Sequence, residues 1–500
     1  MSSFYGLEIA KTGLFISQKG INLAGHNIAN ADTKGYTRQR LSLASIDPVS
    51  LTARFLPIRR GAVGGGVAVL EIEQLRNAYV DRMLRNENSS LGQWNTRTSE
   101  MEYIETIFNT VGDANLSNSL ADFFDSVQEF SAKPVSKEMR TNLQHAAISL
   151  TETFGHYYKQ LTTLRSQMND SISVTVNRIN EITQSIAEYN EHIQIFEISG
   201  ENANDLRDKR NVLLDELSGL VDMEYQYTTD TDGQEKLTVR IAGNTVVDHS
   251  ASYKLKVVAD ANGDYDVCMD NAAETPVNYT NGEIEGYRQL RDGSSPDDMG
   301  IPYLMNELNK LAQGIAKQFN DIHKQGWTMP HDSVVSQQGV YLFHVDVDGS
   351  GVEDYSSITA GNFSISDAVL NDVYMLAASS KEIDFSSSDP QDTNNDIALA
   401  LAALGTSSVT MGNTSFEGYL KNLVVELGVS SAHCEKMLTS EQTLVSNLES
   451  RKESVSGVSV DEEMVQLMKF QHMYNASSRV ITSIDELLDK LINGTGIVGR

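Results

Sequence analysis

Five hundred residues are too many for a single hydrophobic core, and a hydrophobic content of 40% makes them folded modules, about three by length, rather than wholesale disorder. Thirty-nine Lys and Arg against 68 Asp and Glu leave a formal net charge of -29, which repels a polyphosphate and argues against generic nucleic-acid binding. Cys268 and Cys434 form no CxxC or Cys/His cluster for structural zinc, and no apolar run approaches the roughly 18 residues a membrane span requires.

The first segment, to about Ala31, reads as a helix. Leu7, Leu14, Ile21 and Ile28 recur every seventh position, with Ala10, Ser17, Ala24 and Ala31 three positions after each. That is an a/d heptad pattern with small residues on one side of the seam. Gly6, Gly13, Gly20 and Gly25 interrupt it. Each interior Gly costs about 1 kcal/mol relative to Ala, so the helix is expected to order only when packed against something. The apolar run Leu14-Phe15-Ile16 is too short for the core of a Sec signal peptide.

Gly61 to Gly66 then lead into Val67-Ala68-Val69-Leu70. The stretch lacks the Lys-Ser/Thr of a phosphate-binding loop and the spacing of a dinucleotide fingerprint, so it reads as a β-turn connector. A long helix follows, marked by Tyr157, Leu161, Leu164, Met168 and Ile172 and continued by Val176, Ile179, Ile182, Ile186, Tyr189, Ile193 and Phe196. Gly200 stands at its expected C-cap. Near Tyr225 the texture changes. Lys236–Ile241, Thr245–Asp248, Tyr253–Ala259 and Tyr265–Met269 are short β-rich runs separated by Gly- and Asn-containing turns. Helical spacing returns at Met305, Leu308, Leu311, Ile315, Phe319 and Ile322. An Asp/Ser/Gly/Asn-rich stretch runs from Trp327 to Asn395, and helices then resume to Arg451.

The last segment is the strongest helix. Val460, Leu467, Tyr474, Ile481 and Leu488 form a second seven-residue ladder, with Met464, Gln471, Ser478 and Asp485 read as the other column and Phe470, Ile484 and Leu491 as flanks. Ser459 and Glu462 have the capping-box spacing, and Asn493-Gly494 would end the helix. Two half-seams at opposite chain ends bury each other only if the ends meet, with the middle folded back between them; otherwise they bury against other copies.

The candidate chemistry is thin. Asp346-Val347-Asp348-Gly349-Ser350-Gly351 imitates the start of a calcium loop, but Ser357 stands where the closing bidentate Glu is needed. His323 has no Glu-x-x-His partner, and His433 and Cys434, adjacent on a helix, point about 100° apart. Glu100, Glu102 and Glu105 read as a solvated helix face, and the Met464, Met468, Phe470, Met473 and Tyr474 stripe as packing. No catalytic, cofactor-binding or metal-ligating residue is expected.

The run NIANADTKGYTRQ, Asn27 to Gln39, resembles the N-terminal signature of the rod, hook and hook-associated axial proteins of the bacterial flagellum; its motif positions are Asn27, Asn30, Thr33, Gly35, Tyr36 and Arg38. The C-terminal run Ser456 to Gly494 and the segment NANDLRDKRNVLLDELS, Asn202 to Ser218, are similar to the hook-associated branch of that family. Asp32, Lys34 and Ser478 depart from the usual Asn, Pro and Ala. The resemblance implies a mainly α, elongated, multi-domain chain with an inserted β domain, its terminal helices pairing as a coiled coil. The expected divisions are 1–60 with 457–500 as the paired terminal helices, 61–224 with 290–456 as a mainly helical middle, and 225–289 as a small outer β domain. It implies a non-enzymatic structural subunit of the junction between hook and filament, exported without a cleaved signal by the flagellar type III apparatus. The implied partners are copies of the chain in a ring, hook protein, a second hook-associated junction protein, and an export chaperone at the C-terminal helix. Another axial protein (hook or rod) and a cell-wall hydrolase on a flagellar scaffold are the alternatives; a generic secreted coiled-coil adhesin would leave the GYTRQ run unexplained.

Overall fold

The computed structural model describes residues 3–46, 64–108, 115–198, 200–230, 234–331, 334–347, 352–382, 394–407 and 411–494. Helix α1 (Ser3–Ala29) leads into a hairpin of β1 (Gln39–Ser45) and β2 (Val67–Gln74), antiparallel with a bulge beside Ser42 and Leu43. Then come α2 (Ala78–Phe108), α3 (Leu116–Ala132), α4 (Lys137–Glu197) and α5 (Asn204–Leu220). Strands β3 (Met223–Thr229), β4 (Glu235–Ile241), β5 (Asn244–Asp248) and β6 (Ala251–Ser252) form one antiparallel meander; β7 (Leu255–Ala259) and β8 (Tyr265–Met269) form a separate hairpin. Helices α6 (Glu283–Asp292) and α7 (Ile301–His323) precede an irregular region holding the paired β9 (Asp346–Val347) and β10 (Glu353–Asp354) and the short α8 (Asp367–Asn371). Helices α9 (Asp396–Thr406), α10 (Phe416–Ser456) and α11 (Val460–Asn493) close the chain.

The chain is thus mainly α with small inserted sheets. Its spine is α4, whose 61 residues extend about 90 Å at 1.5 Å per residue. Ser136 starts α4 by accepting from the backbone N–H of Met139, so the helix begins a full 20 residues before Tyr157, where the apolar spacing becomes plain. It ends at Glu197, and Gly200 takes a left-handed φ of 84° just beyond.

Two apolar cores lie along this spine. The larger packs the first half of α4 with α2, α3, α7, α9 and α10 around Phe123, Phe154, Phe319, Phe343 and Phe416. The second packs Ile172, Val176, Ile179 and Ile186 of α4 and Leu214 and Leu217 of α5 against Leu237, Val239, Ile241 and Val247 of the sheet. The β strands therefore lie on the second half of α4, and the expected 225–289 interval also takes in the start of α6. Neither core includes a residue of α1, the β1–β2 hairpin or α11.

The hairpin is a finding the sequence reading lacked: β1 follows the GYTRQ run directly and pairs across an intervening segment outside the described residues. Gly61 to Val63 fall in that segment, and Gly66, with φ 104°, opens β2. Of the calcium-loop look-alike, residues 348–351 lie outside the described residues; Asp346 belongs to β9 and accepts from the Ser357 hydroxyl at 3.0 Å. His323 is fully buried. The Ala377 N–H donates to its Nε2 at 2.8 Å and its Nδ1 lies 2.7 Å from the Val340 carbonyl, so it is a core linker between α7 and the irregular region. Cys434 is buried while His433 is exposed against Trp94.

Candidate assembly site at the terminal helix pair

Helices α1 and α11 pack antiparallel, and four contacts one heptad apart set their register. Gly6 faces Ile484, Gly13 faces Ser477, and Gly20 faces Phe470. Asn27 donates to the carboxylate of Glu463 at 3.1 Å. The buried residues of α1 are Ala10, Ile16, Ser17, Gly20, Ala24 and Asn27. Small residues let the two backbones approach closely enough for the Phe470 ring to lie over Gly20, where a Cβ would sit 2.5 Å from it.

Leu7, Leu14, Ile21 and Ile28 each stand one position beyond this ladder and are half-buried at its edge. On α11, Leu467, Ile481 and Leu488 are half-buried, whereas Tyr474 is 36% and Val460 46% exposed. The second column of α11 is corrected. The residues that meet α1 are Glu463, Phe470, Ser477 and Ile484, while Met464, Gln471 and Asp485 face solvent and Ser478 is half-buried. Phe470 and Ile484 are therefore central to the pair rather than flanking it.

At the end of the pair the three signature segments converge in one buried polar cluster. Asn27 is the hub, with both donors and both acceptor positions of its amide in use. Its Nδ2 donates to the Gln39 carbonyl at 3.0 Å and to Glu463. Its Oδ1 accepts from the Tyr36 hydroxyl at 2.7 Å and the Gln39 N–H at 3.2 Å. Arg38 donates to Glu463 at 2.7 Å and to Glu462 at 2.8 Å, and its backbone N–H donates to Ser456 at the end of α10. From the Asn202–Ser218 segment, Asp208 accepts from the Thr37 N–H and hydroxyl at 3.0 and 2.6 Å, and Asp205 accepts from Gln39 at 3.0 Å. Burial raises the pKa of Asp208 above the usual carboxylate value, partly opposed by the Thr37 bonds and Arg76. Burial, together with the Asp205, Asp208 and Glu463 carboxylates, pushes the Tyr36 phenol well up, so it remains a donor.

The remaining motif residues shape the connection. Asn30 donates to the His26 carbonyl at 3.0 Å, closing the end of α1, and Thr33 donates to Asn30 at 3.3 Å. Gly35 has φ 82°, and a Cβ there would lie 2.2 Å from Val212 Cγ2 on α5. Its place takes a glycine for both conformation and space. Gln39, Asp205, Asp208 and Glu463 were not singled out from sequence, although all four lie inside or beside the three signature runs.

Exposed apolar side chains stand among charged ones on both helices of the pair. Phe15 of α1 and Val465, Met468, Val480 and Leu487 of α11 are all exposed. Among the described residues no group of three or more His, Cys, Asp or Glu could hold a metal, and no helix is long and apolar enough to cross a membrane.

Comparison with known proteins matches this architecture. Residues 101–343 match the family model of the flagellar hook-associated protein FlgK helical domain, and residues 453–494 that of the flagellar basal body rod FlgEFG protein C-terminal region. Flagellar hook-associated protein 1 of Bacillus subtilis is 28% identical over 521 residues, covering 100% of both chains. The chain belongs to the flagellar hook-associated protein 1 family. The Escherichia coli protein of that family is 25% identical over 556 residues, covering 97% of this chain and 98% of its own. The flagellar hook junction protein FlgK from Burkholderia pseudomallei shares the fold, with a TM-score of 0.59 at 16% identity, covering 75% of this chain and 100% of that one. Membership of the hook-associated protein 1 family makes the chain an axial structural component of the flagellum.

Proposed function

We propose that the chain forms the junction between hook and filament, as a ring of copies on which the filament is built. The observation that carries this reading is the α1–α11 pair: a close-packed seam inside, large apolar side chains exposed outside, and no share in either core of the body. A subunit whose ends are not needed by its own cores can use them to pack against neighbours. Burying one Leu-sized side chain contributes about 1.5–3 kcal/mol, so several per helix outweigh the ordering of the segment. Within the ring the pair acts as a coiled-coil layer. Hook protein lies on one side and a second hook-associated junction protein on the other, and an export chaperone covers α11 before assembly. The chain reaches the flagellum, outside the cell, without a cleaved signal peptide and carries out no catalysis. The organisation into terminal pair, helical middle and β module follows the same division of labour.

Electron microscopy of a deletion strain tests this. Hooks without filaments, with flagellin lost to the medium and restored by the wild-type chain, are the expected result. Normal filaments in the deletion strain would overturn the junction role.

A further inference from the structure

Strand β3 ends the larger sheet: β4 lies on one side of it and none of the described strands on the other. The Asp230 N–H donates to the Gln234 carbonyl at 2.8 Å, in register with the β3–β4 pairing. Bonded pairs alternate along an antiparallel ladder, so Glu224, Gln226 and Thr228 bond to β4. The N–H and carbonyl groups of Tyr225, Tyr227 and Thr229 point the other way. The bond from the His249 N–H to the Leu237 carbonyl agrees, since it turns the odd residues of β4 toward β5. None of the outward groups has a partner among the described residues. Exposed edges are commonly guarded by lysine, proline or a bulge. Met223 to Thr229 hold neither residue, pair without a register shift, and are exposed at five of seven positions.

A cationic site lies beside this edge. Tyr225 and Tyr227 share the face of their partners Val239 and Leu237, which are buried against the helices, and both line a polar cavity of about 310 Å³. Arg85 lies over the Tyr225 ring at 4.5 Å and Arg210 over the Tyr227 ring at 5.3 Å, and each arginine is only 3% exposed. Arg85 donates through Nε to Asp215 at 2.7 Å and through Nη2 to Asn211 at 3.2 Å, which leaves Nη1 over. The Nε of Arg210 is buried without a partner among the described residues. Burial raises the pKa of the Tyr225 phenol, and the charges of Arg85 and Arg82 oppose it. Arg82 is exposed and makes no ion pair among the described residues. The carboxylates that line the cavity are already held: Asp81 by Arg76 at 3.1 Å, Glu235 by Arg207 at 3.3 Å and Glu73 by Arg40 at 2.7 Å.

We infer that the β3 edge is the docking site for an extended acidic segment of another protein, which adds to the sheet as a further strand and directs alternate carboxylates toward Arg82, Arg85 and Arg210. The outward backbone groups supply the pairing, and the arginines select the side chains. A second copy does not supply the strand. Among the described strands only β2 carries carboxylates two residues apart, Glu71 and Glu73, and that stretch is taken: the Ile72 carbonyl accepts from Asn202 and Asn204.

Amide hydrogen exchange in the full-length chain reads strand addition directly. In the free chain Tyr225, Tyr227 and Thr229 should exchange fast, and Glu224, Gln226 and Thr228 slowly. A short blocked peptide alternating Glu with Val, titrated to about 10 mM, should slow the first three about tenfold. The same peptide with Lys for Glu should not. Arg82→Glu should weaken the acidic peptide severalfold and leave the slow amides as they are. Thr229→Pro removes an outward N–H but no ladder bond, so binding should fall while the ladder stays protected. A photo-cross-linking residue at Thr228, activated on intact flagella, should label a segment of a different protein with carboxylates at alternate positions. The inference is overturned if the acidic peptide protects none of the three amides, if the Lys peptide protects them equally, or if the cross-link falls on another copy of the chain or on nothing.

Discussion

Gly20 and Phe470 meet so closely across the terminal helix pair that any side chain at position 20 must displace the ring. Gly20→Val should therefore loosen the pair, and Gly20→Ala should do so more mildly. By contrast, no atom lies within 4 Å of a Cβ placed on Gly25, so Gly25→Ala should tighten α1 by about 1 kcal/mol through helix propensity alone. Hydrogen exchange checks both. Gly20→Val should lose protection in α1 and α11 only, while exchange in the two cores stays at the parent level.

The exposed apolar residues of the pair separate assembly from folding. Val465 and Leu487 are each 57% exposed, so Val465→Asp or Leu487→Asp should leave melting and the α1–α11 pair unchanged in the free subunit. In a packed ring the same charge would be dry and unpaired, which is very costly. Cells carrying either variant should secrete the subunit yet lack filaments. Normal filaments would show that this face stays exposed after assembly. Leu467→Asp and Leu14→Asp, at half-buried positions beside the seam, should weaken the free pair as well.

These contrasts show what was legible in the sequence. The seven-residue period of both terminal helices was plain, as were the long α4 and the strands from Glu235 to Met269. The small-residue column Ala10, Ser17 and Ala24 is buried as read, but the leucine and isoleucine column stands one position beyond the closest line, because leucine and isoleucine carry the usual seam signal. Here the close-packed line is Gly6, Gly13 and Gly20, residues that read as helix interruptions. Their seven-residue spacing was the available clue. The polar cluster was invisible for another reason: Asn27, Asp208 and Glu463 are far apart in the chain, and polar residues in a run of known likeness carry no spacing that shows they meet. The β1–β2 hairpin was missed because its two strands are separated by more than 20 residues and neither alternates cleanly in polarity.

Gly35→Ala should unseat the connection between α1 and β1. The positive φ costs a non-glycine residue about 1 kcal/mol, and the Val212 contact adds a steric term. Adding Val212→Ala should recover the steric part only. Proteolysis near Asp32–Lys34 gives the readout, with cleavage fastest in Gly35→Ala, intermediate in the double variant and slowest in the parent.

His323 makes the body sensitive to mild acid. Burial, with the nearby Arg140 charge, lowers its pKa from 6.5 to about 4 against the opposing Val340 bond, so its Nε2 stays unprotonated and accepts from Ala377. A buried neutral histidine contributes stability that is full above the unfolded pKa and is lost as pH falls from 6.5 toward 4. The loss by pH 5 is about 2 kcal/mol. Urea denaturation at pH 7.5 and pH 5 should show that drop in the parent, and His323→Gln, which cannot take up the proton, should flatten it.

The junction role is tested most directly by locating the chain in the assembled organelle. Gold-labelled antibody against the β3–β6 sheet, viewed on intact flagella by electron microscopy, should mark one narrow band where hook meets filament. Label distributed along the hook, along the filament or at the basal rod would contradict the proposal.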